Sequence, residues 1–191
     1  MEPLVLASSS PRRSALLQQI GLPFEVIVSN CDENDVSFDD PAAGAVTLAL
    51  RKAMTVARTI SSPGRVVLGA DTIVVVDGRT LGKPSDEEEA IAMLKTLTGR
   101  AHKVITGMAL IETGTFRTAS FHEETLVCMR ACDDDEIRRY AATGEPLDKA
   151  GAYGAQGYGA VLIERVEGCF HNVVGLPLAR VVTALHAFRS Q

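Results

Sequence analysis

Apolar residues along this chain fall into short unbroken runs and helical stripes, separated by polar and glycine-rich punctuation. Leu4 to Ala7 forms an apolar segment. It is followed by Ser8-Ser9-Ser10-Pro11-Arg12-Arg13 and then by Ala15, Leu16, Leu17 and Ile20 at helical spacing. The pattern predicts a strand, a turn and a helix, with Gly21 as its stop and a second strand over Phe24 to Val28. A polar, acidic loop occupies 29–40. Pro41 opens a longer helix whose apolar positions are Val46, Leu50, Ala53, Met54, Ala57 and Ile60, ended by Ser61-Ser62-Pro63-Gly64. Val66-Val67-Leu68 reads as a buried strand running into Gly69-Ala70-Asp71-Thr72, with Ile73 to Val76 as its continuation. Asp77-Gly78 is a hairpin signal leading to Thr80-Leu81.

Further along, Ser85 and Glu88 read as a capping box for a helix reaching about Leu97, closed by Gly99. Two long strands follow, around His102 to Glu112 and Phe116 to Met129. Asp133 with Glu136 reads as a second capping box, and Gly144 ends that helix. The glycine-rich stretch 145–159 reads as a loop, Ala160 to Val166 as a strand and Leu178 to Phe188 as a final helix. Helices alternate with strands, but the hairpins demand antiparallel neighbours. The expected class is therefore α/β with a mixed sheet flanked by helices.

The 191 residues suffice for one sizeable core or for two lobes. A net charge of −5 lacks the basic footprint of a duplex nucleic-acid binder, so no nucleic acid is expected as partner. No apolar run approaches the ~20 residues of a membrane span, and no membrane association is expected. Cys31, Cys128, Cys132 and Cys169 are scattered without a zinc-ligand spacing, which suits reduced thiols in a cytoplasmic setting.

The first turn carries the sharpest chemical signal. Ser10 is a favoured N-cap, and Pro11 suits the first helical position. Arg12 and Arg13 then place cations where the helix dipole disfavours them. The hydroxyls of Ser8 and Ser10, the helix N–H groups and two guanidinium forks suit a polyphosphate; the alternative is a solvated helix start with two surface arginines. Asp71, flanked by Gly69 and Ala70 at the end of an apolar strand, sits where α/β proteins carry metal-binding or basic carboxylates. It could equally cap a turn. Asp32-Glu33 lies in the acidic loop, and Glu33 with Asp71 could supply the carboxylate pair of a hard divalent cation if their strands are neighbours. A solvated loop is the alternative.

Lys52 lies beside the apolar Ala53-Met54 pair, at the edge of the stripe, where it either reaches inward or snorkels at the surface. Gly82-Lys83-Pro84 fails as a P-loop, because the glycine spacing is short and Pro follows the lysine. Lys83 remains a point charge for phosphate. The run Asp148 to Gly157, containing Lys149 and Gln156, lacks a dinucleotide fingerprint, yet its glycines let backbone wrap a planar ligand. Gln156 offers a donor and an acceptor to a base edge. His102 and His171 have no Ser or Cys partner at a triad spacing.

Taken in order, these segments resemble the Maf family of nucleoside triphosphate pyrophosphatases over nearly the whole chain. The matching stretches are Leu6 to Arg13, Asp32-Glu33, Gly69 to Thr72, Gly82-Lys83-Pro84, Leu97-Thr98-Gly99 with His102, Val104, Thr106 and Gly107, Pro146 to Tyr153, Gln156-Gly157, and His171 to Pro177. The resemblance implies a single domain over 1–191, an elongated twisted sheet akin to the inosine triphosphate pyrophosphatases, and two lobes sharing a central cleft. It implies hydrolysis of a nucleoside triphosphate to monophosphate and pyrophosphate with a divalent cation (Mg²⁺, Mn²⁺ or Co²⁺), and dimers are frequent in such families. It casts Asp71, Glu33 and Lys83 as catalytic, with Glu33 and Asp71 on the metal. Ser8, Ser10, Arg12, Arg13, Lys52, Thr72, Lys149 and Gln156 become substrate ligands.

Arg12, Thr72 and Gln156 match the branch acting on dTTP and UTP; the branch taking 7-methyl-GTP typically carries Trp, Gln and Glu there. A neutral Gln156 suits the imide edge of thymine or uracil, whereas a glutamate suits a cationic methylated guanine. Cys169-Phe170 stands where relatives often have Ser-Tyr. The implied reaction is in-line attack of a metal-activated water on the α-phosphorus. Two rivals stand beside it: a non-catalytic nucleotide-binding regulator linked to cell division, which would not need both carboxylates, and a phosphomonoesterase, which would release inorganic phosphate.

Overall fold

The computed structural model describes residues 2–190. Among the described residues, seven strands and six α-helices follow in the order β1 (Leu4–Leu6), α1 (Pro11–Gln19), β2 (Phe24–Val26), α2 (Pro41–Ala57), β3 (Val66–Val76), β4 (Arg79–Leu81), α3 (Glu87–Leu97), β5 (Ala101–Glu112), β6 (Thr118–Met129), α4 (Asp134–Ala141), β7 (Ile163–Glu167), α5 (Phe170–Val174) and α6 (Leu178–Arg189). The strands form one mixed sheet in the order β2-β1-β3-β5-β6-β7, with β4 paired to β3. β1 lies parallel to β2 and β3, while β3–β4 and β6–β7 are antiparallel. The mixed α/β class read from the hairpins is what the strands adopt. No helix among the described residues is long and apolar enough to cross a membrane.

By internal contacts the chain divides into two compact units. One comprises Met1–Asp71, Thr106–Glu123 and Gly175–Gln191; the other comprises Thr72–Ile105 and Glu124–Val174. The first unit has a core of Val5, Ala7, Ala49, Ala53, Val56, Ala57, Val67, Ala109 and Ile111. In the second, Ile91, Leu94 and Leu97 of α3 pack with Ile137 and Tyr140 of α4 and with Val104, Val127 and Met129 of the strands.

Several local signals held. Asp77 and Gly78 take φ of 50° and 72°, the left-handed pair that a two-residue hairpin turn requires. The Asp133–Glu136 capping box forms with both reciprocal bonds. Others were displaced. The first capping box is shifted by one residue: Asp86 is the N-cap, accepting from Glu89 N, and the Glu89 carboxylate takes both the amide and the hydroxyl of Ser85. The β2 strand stops at Val26, not Val28. The 145–159 stretch is not plain loop. It winds through 3-10 turns at 145–148 and 150–152, and a third at 157–162 delays the last strand to Ile163. The α5 helix escaped notice because five residues are too few to display a period.

The buried face of α2 also differs from the stripe of large apolar residues. Ala45, Leu48, Ala49, Ala53, Val56 and Ala57 are buried, whereas Val46, Leu50 and Met54 are only partly so. Small residues face the sheet because the helix lies directly on two glycines. A Cβ on Gly69 of β3 would stand 2.2 Å from the Ala49 carbonyl oxygen and 2.9 Å from Ala53 Cβ. One on Gly107 of β5 would stand 2.2 Å from the Ala45 carbonyl carbon. No side chain fits in that space.

Candidate active site

Close packing of α2 on β3 creates the chemistry of the first unit. Asp71 does not end its strand, as the small residues around it suggested; it lies within an unbroken eleven-residue β3. Gly69 and Asp71, two residues apart, share a strand face, and Lys52 follows Ala49 by three positions on α2. The contact that seats Ala49 and Ala53 on Gly69 thus delivers Lys52 to Asp71. Lys52 Nζ donates to Asp71 Oδ1 at 2.6 Å, and the two side chains are only 12% and 11% exposed. Removing one partner of so enclosed a pair strands the other charge, a cost of roughly 3–5 kcal/mol.

The same ammonium lies 3.1 Å from Glu33 Oε1. The strands leading to Glu33 and Asp71 are not neighbours, since β1 separates β2 from β3; the carboxylates converge on Lys52 because the acidic loop returns over α2. The loop is locally organised. Asp32 Oδ1 accepts from the amide and side chain of Asn34, and Arg51 donates one guanidinium nitrogen to the Asp32 and Asn34 carbonyls. Arg51 had no separate signal in the sequence beyond its place beside Lys52.

Arg13, on the first turn of α1, is buried at 9% exposure. Its Nε donates to Gly175 O at 2.9 Å and its NH1 to Ser8 Oγ at 3.1 Å. Burial lowers its pKa from the ordinary value; Asp71 opposes that shift most strongly, Arg12 adds to it, and Glu33 opposes it too. A guanidinium remains charged regardless. Its interactions with Asp71 and Glu33 join Arg13 to the Lys52 cluster. Ser10 occupies the N-cap position but its hydroxyl makes no capping bond; instead the Ser10 amide donates to Ser8 Oγ at 3.2 Å. Ser8 therefore fastens both the turn and the arginine. Arg12 is half-buried beside it.

The remaining candidates belong to the second unit. Thr72 follows Asp71 along β3, so strand alternation points it to the opposite face. Lys83 is exposed just beyond β4. Leu81 pairs with Val74, and extending that register brings Lys83 level with Thr72. Gly82 O accepts from Gly151 N at 3.0 Å, tying the lysine's turn to the 3-10 segment. Lys149 is turned inward, bonding Glu145 O at 2.6 Å and Asp148 Oδ1 at 2.7 Å. Gln156 is exposed, immediately before the third 3-10 turn.

That turn is built around Glu145, which sequence reading passed over inside a presumed loop. Glu145 Oε1 accepts from Tyr140 Oη at 3.0 Å and Gly159 N at 3.0 Å, while Oε2 accepts from Tyr158 N at 2.8 Å. Tyr140 Oη in turn accepts from Gly154 N at 3.1 Å. Gly157 takes φ of 71°, and a Cβ there would stand 2.5 Å from Glu145 Oε2. Beneath lies a buried pair: His102 Nε2 and Tyr153 Oη are 2.6 Å apart. Burial pulls the His102 pKa down to about 4 and raises that of Tyr153. A neutral, enclosed histidine of this kind is a packing element.

Asn172 is likewise buried and donates to Val104 O and Thr125 Oγ1, anchoring α5. Phe170 is 45% exposed and edge-on to His171. All four cysteines are free thiols. Among the described residues, no group of three His, Cys, Asp or Glu side chains is placed to hold a metal.

Known proteins match this chain over nearly its whole length. The Maf-like protein family matches residues 3–188. The chain is 53% identical over 188 residues to the dTTP/UTP pyrophosphatase of Symbiobacterium thermophilum, covering 98% of this chain and 95% of that one. It is 48% identical to the enzyme of the same name from Pelotomaculum thermopropionicum, covering 98% and 97% of the two chains. Against that of Bacillus mycoides it is 46% identical, covering 100% and 97%. The chain belongs to the Maf-like protein family.

Proposed function

We propose that this chain hydrolyses dTTP and UTP to the nucleoside monophosphate and pyrophosphate, through attack of water on the α-phosphorus. The observation that carries the reading is the Lys52 cluster, in which Asp71 and Glu33 meet one ammonium in the first unit and both also interact with the Arg13 guanidinium. Such a set has no evident use in a purely structural helix–sheet contact, where apolar packing would serve better.

A divalent ion (Mg²⁺, Mn²⁺ or Co²⁺) fits the donor set. The Glu33 and Asp71 carboxylates already reach a single cationic centre, at 3.1 and 2.6 Å. A hard cation asks for one or two carboxylates and fills its other positions with water and phosphate oxygens. Glu33 and Asp71 would hold the ion, which supplies a lowered water pKa and neutralises phosphate charge.

The protein's own groups do the rest. Arg13, fixed by Ser8 and Gly175, offers a preorganised guanidinium to phosphate oxygens. Lys52 supplies a second fixed positive charge and orients Asp71, whose carboxylate accepts the proton of the attacking water. Arg12 and the Ser8–Ser10 turn complete the phosphate-binding end. Lys83 is a further phosphate ligand, and Gln156 presents its donor and acceptor to the imide edge of thymine or uracil. Free thiols suit work in a reducing cytoplasm.

Product analysis with dTTP, UTP, CTP, GTP, ATP and 7-methyl-GTP in the presence of Mg²⁺ tests this. The expected outcome is pyrophosphate release with the highest kcat/KM for dTTP and UTP. Release of inorganic phosphate alone would overturn the reaction, and a preference for 7-methyl-GTP would overturn the substrate.

A further inference from the structure

Glu33 presents a problem of placement. It is the one carboxylate of the cluster carried on a loop, its side chain is 55% exposed, and neighbouring Asp35 sits at a left-handed φ of 59°. A contact to Lys52 at 3.1 Å with one partner so exposed is worth little by itself. Something else must keep residue 33 facing α2.

Arg51 does so with a single nitrogen. Its NH1 donates to Asn34 O at 2.8 Å and to Asp32 O at 3.2 Å, the peptide carbonyls on either side of Glu33. From within, Asp32 Oδ1 closes an Asx turn on the Asn34 amide at 2.9 Å and takes its side chain at 2.7 Å. Two charge-assisted bonds from a rigid helix thus bracket the residue whose carboxylate matters. Arg51 and Lys52 are consecutive on α2, so the helix residue that positions Glu33 adjoins the one that Glu33 meets.

We infer that Arg51 is a positioning residue, which clamps the acidic loop onto α2 so that Glu33 is preorganised beside Asp71 for a divalent cation. The inference rests on the proposed pyrophosphatase reaction for its kinetic consequence, though not for its structural one. Arg51 touches neither substrate nor ion, so its removal acts through the loop. Ligand-supporting groups of this kind typically alter metal affinity by about 10–100-fold.

The test compares the wild type with Arg51→Ala and Arg51→Lys. Three quantities are measured: the Mg²⁺ concentration giving half-maximal dTTP hydrolysis, direct Mn²⁺ binding by paramagnetic titration, and amide exchange across residues 31–36. Arg51→Ala is expected to raise the half-saturating Mg²⁺ and the Mn²⁺ dissociation constant about tenfold. Exchange in 31–36 accelerates, while kcat at saturating Mg²⁺ stays within about threefold and the unfolding midpoint is unchanged. Arg51→Lys recovers part of the loss, because one nitrogen makes both bonds. Unchanged Mn²⁺ affinity and loop exchange in Arg51→Ala would overturn the inference, as would a kcat loss that Mg²⁺ cannot restore. If the wild type fails to hydrolyse dTTP, the proposed function fails, and Mn²⁺ binding with loop exchange still decides the role of Arg51.

Discussion

The two units solve the problem of holding polar groups in place by opposite means. The first concentrates charge: Arg13, Lys52, Asp71 and Glu33 interact as ions, fixed by a helix pressed onto glycine. The second uses one carboxylate as a hub for a tyrosine hydroxyl and backbone amides, over a core whose histidine is kept neutral. Under the proposed function, phosphates and a metal ion call for fixed charge, whereas a neutral base is read by shape and by hydrogen bonds of defined direction.

The sharpest way to break the comparison is Asp71→Asn. If the charge cluster of the first unit carries the reaction, removing the proton acceptor should lower kcat for dTTP by about 10³-fold or more. Nucleotide binding, measured by calorimetry, should persist, because Arg13 retains its bonds to Ser8 and Gly175. Turnover within about tenfold of wild type would remove Asp71 from its assigned role.

The neutral core of the second unit predicts a pH effect. His102 titrates near 4 when folded, against an ordinary value of 6.5. The unfolded state therefore binds a proton that the folded state refuses. Stability should be fully present above pH 6.5 and decline progressively as the pH falls toward 4, by about 3 kcal/mol in total. Denaturant unfolding at pH 7, 5.5 and 4.5 measures the slope. In His102→Gln, which has no proton to gain, that component should vanish even though the variant is less stable throughout.

Gly69→Ala probes how the first unit is assembled. The added Cβ would meet the Ala49 carbonyl oxygen at 2.2 Å, so α2 must lift from β3. Overpacking of this kind costs about 1–3 kcal/mol. Lys52 moves with the helix, so dTTP turnover should fall alongside stability. Gly21→Ala serves as the control: its Cβ meets nothing within 4 Å, and its cost is confined to the left-handed φ of 64°.

Legibility in the sequence divides along similar lines. Features with local causes could be read directly: the hairpin at Asp77-Gly78, the Asp133–Glu136 box, and the mixed sheet that hairpins imply. The face of α2 is legible in part: Ala53 and Ala57 of the predicted stripe are buried, but Ala45 and Ala49 carry little hydrophobic signal and the larger Val46, Leu50 and Met54 carry more. Which face is buried was decided by Gly69 and Gly107, far off in sequence. Asp71 appeared to end a strand because Gly69 and Ala70 resemble punctuation, when they instead make room for a helix. The residue types around Lys52 were visible as a motif, but their convergence depends on that same approach. Arg51 and Glu145 act through backbone atoms. A carbonyl or an amide has no letter in a sequence, so such partners leave no pattern to find.

Glu145 gives the most discriminating of the smaller tests. Three donors meet its two oxygens, from Tyr140 Oη, Gly159 N and Tyr158 N. In Glu145→Gln one of those oxygens becomes an NH₂ group, which must face a donor whichever way the amide is flipped. One amide or the tyrosine hydroxyl then loses its acceptor, and the turn that follows Gln156 loosens. If the turn that follows Gln156 serves the base, the effect should appear in binding. KM for dTTP should rise about tenfold, the equivalent of 1.4 kcal/mol, with kcat within about threefold. Selectivity for dTTP over GTP should narrow in parallel, since the base contact alone is weakened. A fall in kcat at unchanged KM would instead remove Glu145 and its turn from base recognition.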